Sequence, residues 1–374
     1  MTDALPRLPI FLHAAWLGRG EWLWSGLRHD PAACGFLEPL HEGLAGVARA
    51  DLAAPPPGPG EARQAAREAP AWQEFAPLLG SGGGMAGFLP RFAWRDAFAT
   101  PGEDPALIAW IGRLLAVAHG SGRVAVVLSC RSAGRARLLH AAFPEALHLL
   151  VLRRPDALWA AASRLARQEG NRRFLVLPLL MLAANARAAP VRAATAALGL
   201  TPPPLLARTP QAALAEAGEA FARLSEAVRY RAFLAWWLAT TLAGLRGGAR
   251  PLDADMLAWS APARQALTET IAAASGLALH LTIPAETQTP PPLDEDQAAA
   301  QSDALGLLEE KRAVLPPGGY LLAWNLLAAA LVRPLGHGAG HGAVGCPGGT
   351  AIPGWLSGSV WPTAARGGGV SGRG

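Results

Sequence analysis

The first half of the chain alternates short continuous apolar runs with stretches of helical period. Leu8–Ala14 is apolar apart from Pro9 and His13, which predicts a buried strand. Leu17-Gly18-Arg19-Gly20 follows it, and the polar and apolar positions of Glu21–His29 then read as a helix. A second helix is expected over Pro39–Ala50. Leu107, Ile108, Ile111, Leu114 and Leu115 recur at helical spacing within Asp104–Ala118. The continuous apolar run Val124–Leu128 predicts another buried strand, Ala133–Ala142 a helix, and Leu147–Leu152 a further strand. Strands and helices in alternation, with strands apolar throughout, call for a parallel sheet covered on both faces.

The second half has few strand signals. Asp156–Gln168, Arg172–Leu198 and Pro210–Leu245 read as helices, with Pro202-Pro203-Pro204 a stiff turn between the last two. Arg250–Leu257 is a candidate last strand, followed by a helix over Ala261–Ser275. An acidic helix over Asp294–Ala313 and an apolar one over Tyr320–Val332 complete the ordered pattern. The Pro/Gly tract at 53–60 is expected to be a linker inside the domain. The units expected are therefore an α/β domain over residues 1–285, a helical extension over 286–333, and a Gly-rich disordered tail over 334–374.

Composition narrows the partners. At 374 residues, 51 % of them hydrophobic, the chain can bury a large core. The net charge of +5 suits an anionic ligand, yet the arginines are dispersed without interleaved aromatics, which argues against nucleic acid. Lys311 is the only lysine, so a cation in the first loop has to be arginine. The three cysteines, Cys34, Cys130 and Cys346, are far apart and make neither a disulfide framework nor a metal site, which fits a reducing cytoplasm. No metal is expected, because His337, His341 and Cys346 lie in glycine-rich sequence that pre-organises nothing. Met1–Pro9 does not read as a signal peptide, and the apolar runs Phe174–Ala184 and Leu321–Val332 are too short to span a bilayer.

Three segments carry the candidate chemistry. Phe11–Trp24 is a strand, a Gly-bearing turn and a helix start, the geometry in which backbone N–H groups and a helix dipole meet an anion. Cys34-Gly35-Phe36-Leu37-Glu38-Pro39-Leu40-His41-Glu42 follows the first helix. Ser129-Cys130-Arg131-Ser132-Ala133-Gly134-Arg135 and Arg153-Arg154-Pro155 follow the later strands. In a parallel sheet, ligands bind beyond the carboxyl ends of the strands, where the first loop after Ala14, Arg131 after Leu128 and Arg153 after Leu152 all fall.

In order and spacing these segments resemble the P-loop sulfotransferase family, over roughly residues 8–165. The resemblance implies a three-layer P-loop NTPase-like fold with a central parallel sheet. It also implies a sulfuryl transfer from 3′-phosphoadenosine-5′-phosphosulfate (PAPS) to a hydroxyl of a carbohydrate or other small acceptor. Gly18, Arg19 and Gly20 would then meet the phosphosulfate, Trp22 would stack on the adenine or a sugar face, Arg153 and Ser163 would meet the 3′-phosphate, and Arg131 and Ser132 either the donor's phosphate or an anionic acceptor. Glu38 stands where the family places its base, and His41 is the alternative because it titrates near neutrality. Leu17 occupies the family's basic position, Glu21 its hydroxyl position and Ala161 its serine position. These departures keep open an alternative: a member that binds a nucleotide or glycan without turnover. A kinase is disfavoured, since no Gly-Lys-Ser/Thr signature is present.

Overall fold

The structure is a computed structural model, and it describes residues 7–53, 72–282 and 289–331. The expected linker over 53–60 and the tail over 334–374 lie almost wholly outside the described residues.

Five parallel strands form one sheet in the order β2-β3-β1-β4-β5: β1 Ile10–Ala14, β2 Ala33–Leu37, β3 Val124–Ser129, β4 Leu147–Leu152 and β5 Arg250–Asp253. The first four strands are buried along their whole length, which is why they read as unbroken apolar runs. Their register aligns Ala14 with Val151, His13 with Ser129, and Leu37 with Leu128, so every strand ends at the same rim.

Helices cover both faces, as expected of a three-layer α/β fold. Helix α1 (Gly20–Arg28) starts hard against the sheet: a Cβ on Gly20 would meet Ala14 Cβ and Leu128 Cδ1, each at 2.7 Å. Helices α2 (Pro105–Gly120) and α3 (Ala136–Ala142) lie on the opposite face. The helical half follows β4 as α4 (Pro155–Gln168), α5 (Arg173–Ala184), α6 (Ala189–Ala197), α7 (Pro210–Ala222) and α8 (Glu226–Arg246). Of these, α8 packs on the sheet so closely that a Cβ on Gly244 would meet Leu150 Cδ1 at 2.9 Å. After β5 come α9 (Ala254–Trp259), α10 (Ala261–Ser275), α11 (Glu295–Glu310) and α12 (Pro317–Leu331). The C-terminal pair joins the same core, where Tyr230 Oη donates to Gln301 Oε1 at 2.6 Å and Gln301 Nε2 to the Leu327 carbonyl at 3.0 Å.

The structure corrects two local expectations and adds one strand. The segment expected to be a helix over Pro39–Ala50 holds only a 3-10 turn, Glu42–Ala45, capped by His41. The loop there is pinned by side chains instead, Trp72 Nε1 donating to the Leu37 carbonyl at 3.1 Å and Trp110 Nε1 to the Pro39 carbonyl at 2.9 Å. Ala33–Leu37, which carries no strand signal because Cys34 and Gly35 interrupt it, is an edge strand made by pairing with β3. The candidate strand Arg250–Leu257 divides at Asp253, which ends β5 and caps α9 by accepting from the Asp255 and Met256 amides.

No single helix among the described residues is long and apolar enough to cross a membrane. The bent pair α5 and α6 passes that test by composition, but α5 is buried over Val176–Leu182.

A polar chain crosses one face of the sheet. His148 Nε2 donates to the Phe143 carbonyl at 3.2 Å, which leaves Nδ1 of the neutral ring to accept from His13 Nε2 at 3.1 Å. The Ser132 hydroxyl lies 2.8 Å from His13 Nδ1 and 3.0 Å from the Ser129 carbonyl, and its one proton serves these two acceptors in turn. Burial holds both rings neutral, lowering His13 well below the usual histidine range and His148 to about 4.

Candidate functional site

The loop after β1 is a tight turn. The Gly18 amide donates to the Ala15 carbonyl at 3.0 Å, and a Cβ on Gly18 would sit 2.7 Å from that same oxygen, so only glycine fits. Leu17 and Arg19 both take φ 63°, a left-handed conformation that side chains disfavour, and Arg19 in that conformation caps α1. Glu38 at the end of β2 takes φ 50°. Three of the four non-glycine residues with positive φ among the described residues therefore cluster at this rim, each at about 1–3 kcal/mol of local strain.

Two ion-pair groups flank the loop. On the β2 and β3 side, Arg131 Nη1 donates to Glu38 Oε2 at 3.1 Å and Arg131 Nη2 to Glu42 Oε2 at 2.9 Å. Arg173, at the start of α5, also donates to Glu42. Glu38 Oε1 accepts the Cys130 amide at 2.6 Å, and the Arg131 guanidinium lies 5.8 Å from the Trp16 ring centre. Burial lowers the pKa of Arg131, with Glu38 opposing. On the β4 and β5 side, Arg153 Nε donates to Asp255 Oδ1 at 3.0 Å and Arg153 Nη1 to the Leu17 carbonyl at 3.1 Å. Arg19 Nη1 lies 3.3 Å from the same Asp255 oxygen and donates to the Ala254 carbonyl at 3.1 Å.

Arg19, Arg131 and Arg153 thus come from three βα junctions to the two sides of one loop, together with Gly18, Gly20 and Glu38. Other candidates do not point there. Ser132 turns inward to the histidine chain, and Trp22 Nε1 donates to the Thr282 carbonyl at 2.7 Å. Ser163 lies on α4 with its Oγ buried and without a partner among the described residues. His41 is half-buried beside Trp72, its Nδ1 accepting from the Gly43 amide at 3.0 Å. Burial, with Arg131 and Arg173 nearby, lowers its pKa well below the usual histidine range, so it is neutral and its proton sits on Nε2. Burial also raises the Cys130 thiol, with Glu38 and Glu21 adding to the shift, which favours the protonated form. Cys34 and Cys130 are unbridged. Among the described residues no group of three or more metal-ligating side chains assembles.

Sequence reasoning missed Glu42, Arg173 and Asp255. Asp255 had a usable signal: it follows a strand's carboxyl end, as the other candidates do. Arg173 had none, since it reaches the rim from a helix whose packing decides its direction.

Two further features mark the rim. The glycine turn leaves no room for a Cβ, and the Arg131 Nε is a buried donor without a partner among the described residues. Compared with known proteins, the chain matches no family model, no curated protein and no solved structure.

Proposed function

We propose that this rim binds a 3′-phosphorylated nucleotide and that the protein is a sulfotransferase using PAPS to sulfate a hydroxyl of a carbohydrate or other small acceptor. The observation that carries the reading is the convergence of Arg19, Arg131 and Arg153 on one glycine turn at the carboxyl rim of a parallel sheet. PAPS, when bound, would supply the activated sulfuryl group. Gly18 and Gly20 would let the backbone approach its anionic end, while Arg19 and Arg153 would offset its charge through guanidinium contacts. Glu38 would take the acceptor's proton, its carboxylate being held in place by Arg131 and the Cys130 amide. His41 is suited to donation from Nε2 rather than to the base role, because the Gly43 amide occupies its Nδ1.

A second reading, nucleotide binding without turnover, is favoured by the Asp255 carboxylate that already engages both Arg19 and Arg153. Titration calorimetry with adenosine 3′,5′-bisphosphate tests the nucleotide site. Binding that weakens at least tenfold in Arg153→Ala is expected, whereas no heat, or preference for ATP with magnesium, would refute it. Glu38→Gln separates the two readings: turnover should vanish with affinity for the bisphosphate intact.

A further inference from the structure

A cleft of about 1190 Å³ opens between the 94–100 loop, the start of α3, the turn from α5 to α6 and the end of α8, and none of the rim arginines lines it. Two buried side chains fix its loop wall. Asn185 Oδ1 accepts the Ala97 amide at 2.9 Å, while its Nδ2 donates to the Trp94 carbonyl at 2.9 Å. Arg135 donates to the Asp96 carbonyl at 3.1 Å, to the Arg131 carbonyl at 3.0 Å and to the Arg95 carbonyl. A Cβ on Gly134 would run into the Ala97 carbonyl oxygen, so nothing larger than glycine fits there. Asp96, in the same wall, is the fourth of the non-glycine residues with positive φ, at 55°. Buried polar groups thus hold this irregular segment rigid, the construction of a binding loop rather than of a free connection.

The charge on the cleft is one-sided. Arg95, Arg137, Arg187 and Arg246 line it from four elements, all exposed, and none makes an ion pair among the described residues. Arg95 lies over the Trp94 ring, 4.4 Å from its centre, and Arg135 adds a buried charge beneath the loop. Burial lowers Arg135 to about 10, so it keeps its proton at neutral pH. Asp96 and Asp104, the carboxylates that act on Arg135, both pair with Arg91. The other carboxylate of the lining, Glu103, accepts the Thr100 amide through Oε2 at 2.6 Å. With Arg91 included, six arginines stand against three carboxylates. Helix α6 also begins in the cleft, at Ala188, Ala189 and Pro190, with no side chain capping it, which adds its positive dipole end.

We propose that this cleft is a second anion site, separate from the rim, that takes a small ligand carrying several negative groups, of tricarboxylate or oligophosphate chemistry. Its arginines come from four elements, so a single charged group reaches too few of them, while a ligand with spaced charges engages several at once. Each contact is exposed to solvent, hence weak by itself and screened by salt. The rigid loop wall keeps the cleft open without a ligand, which spares the ligand the cost of ordering it.

The test is titration calorimetry on the full chain at low salt, with tripolyphosphate and citrate as probes and acetate as the singly charged control. A probe should bind, the tighter of the two naming the anionic group as phosphate or carboxylate, and its affinity should fall as salt rises to about 0.15 M. Arg137→Gln/Arg187→Gln should bind that probe about tenfold more weakly. Both side chains are exposed and make no hydrogen bond among the described residues, so the double variant should melt with the wild type. Should it melt lower, the single variants, each expected to lose about threefold, take its place. No binding of either probe, acetate binding as tightly, or equal affinity in the double variant would overturn the proposal. Arg153→Ala separates the cleft from the rim: probe binding lost there but intact in Arg137→Gln/Arg187→Gln would put the anion at the nucleotide site and overturn it too.

Discussion

Arg131 ties together the rim on its β2 and β3 side, and its removal has a calculable consequence. Its side chain is 2 % exposed and pairs with two carboxylates that are each 13 % exposed. Arg131→Met keeps much of the volume and the contact with Trp16 but leaves Glu38 and Glu42 with less compensation. Breaking a buried pair from one side costs about 3–5 kcal/mol. The lower end applies, because Glu42 retains Arg173 and Glu38 retains the Cys130 amide. A loss of about 3 kcal/mol corresponds to a fall in Tm of about 4–6 °C for a domain of roughly 300 residues. Urea denaturation followed by circular dichroism measures it, with Glu38→Gln and the double variant completing a cycle. The coupling energy between Arg131 and Glu38 should be about 1–3 kcal/mol. A single-variant loss under about 1 kcal/mol, or a coupling indistinguishable from zero, would show that the pair does not hold the rim.

Two further outcomes follow from the packing. Gly20→Ala forces a methyl against Ala14 and Leu128 and should destabilise by about 1–3 kcal/mol in the same assay; an unchanged midpoint would mean that α1 is not wedged on the sheet. The histidine chain predicts an acid-side loss of stability. Folded His13 and His148 hold their protons more weakly than in the unfolded chain, so the unfolded state binds more protons as pH falls below about 6.5 and stability declines toward pH 4. Replacing both with leucine should flatten that limb in denaturation curves taken from pH 7 to pH 4; an unaltered slope would place the acid sensitivity elsewhere.

Periodicity alone located β1, β3, β4, α1, α2 and most helices of the second half, though it read α5 and α6 as one helix and α9 as part of a strand; the located segments are buried on a consistent face, and the pattern records burial. It also placed Arg19, Arg131 and Arg153 at βα junctions of one rim, since residues that end parallel strands share a rim whatever the order of the strands. Other features depend on contacts between distant segments. Ala33–Leu37 is a strand only because β3 supplies its partners. The stretch from Pro39 is irregular because Trp72 and Trp110 take its carbonyls. Ser132 faces away from the rim because His13, more than a hundred residues earlier, binds its hydroxyl. Asp255, Glu42 and Arg173 join the site through side-chain directions that no local pattern encodes. Local sequence therefore set which segments could be buried and where charged junctions fell, while the packing of strands and helices decided which charges met.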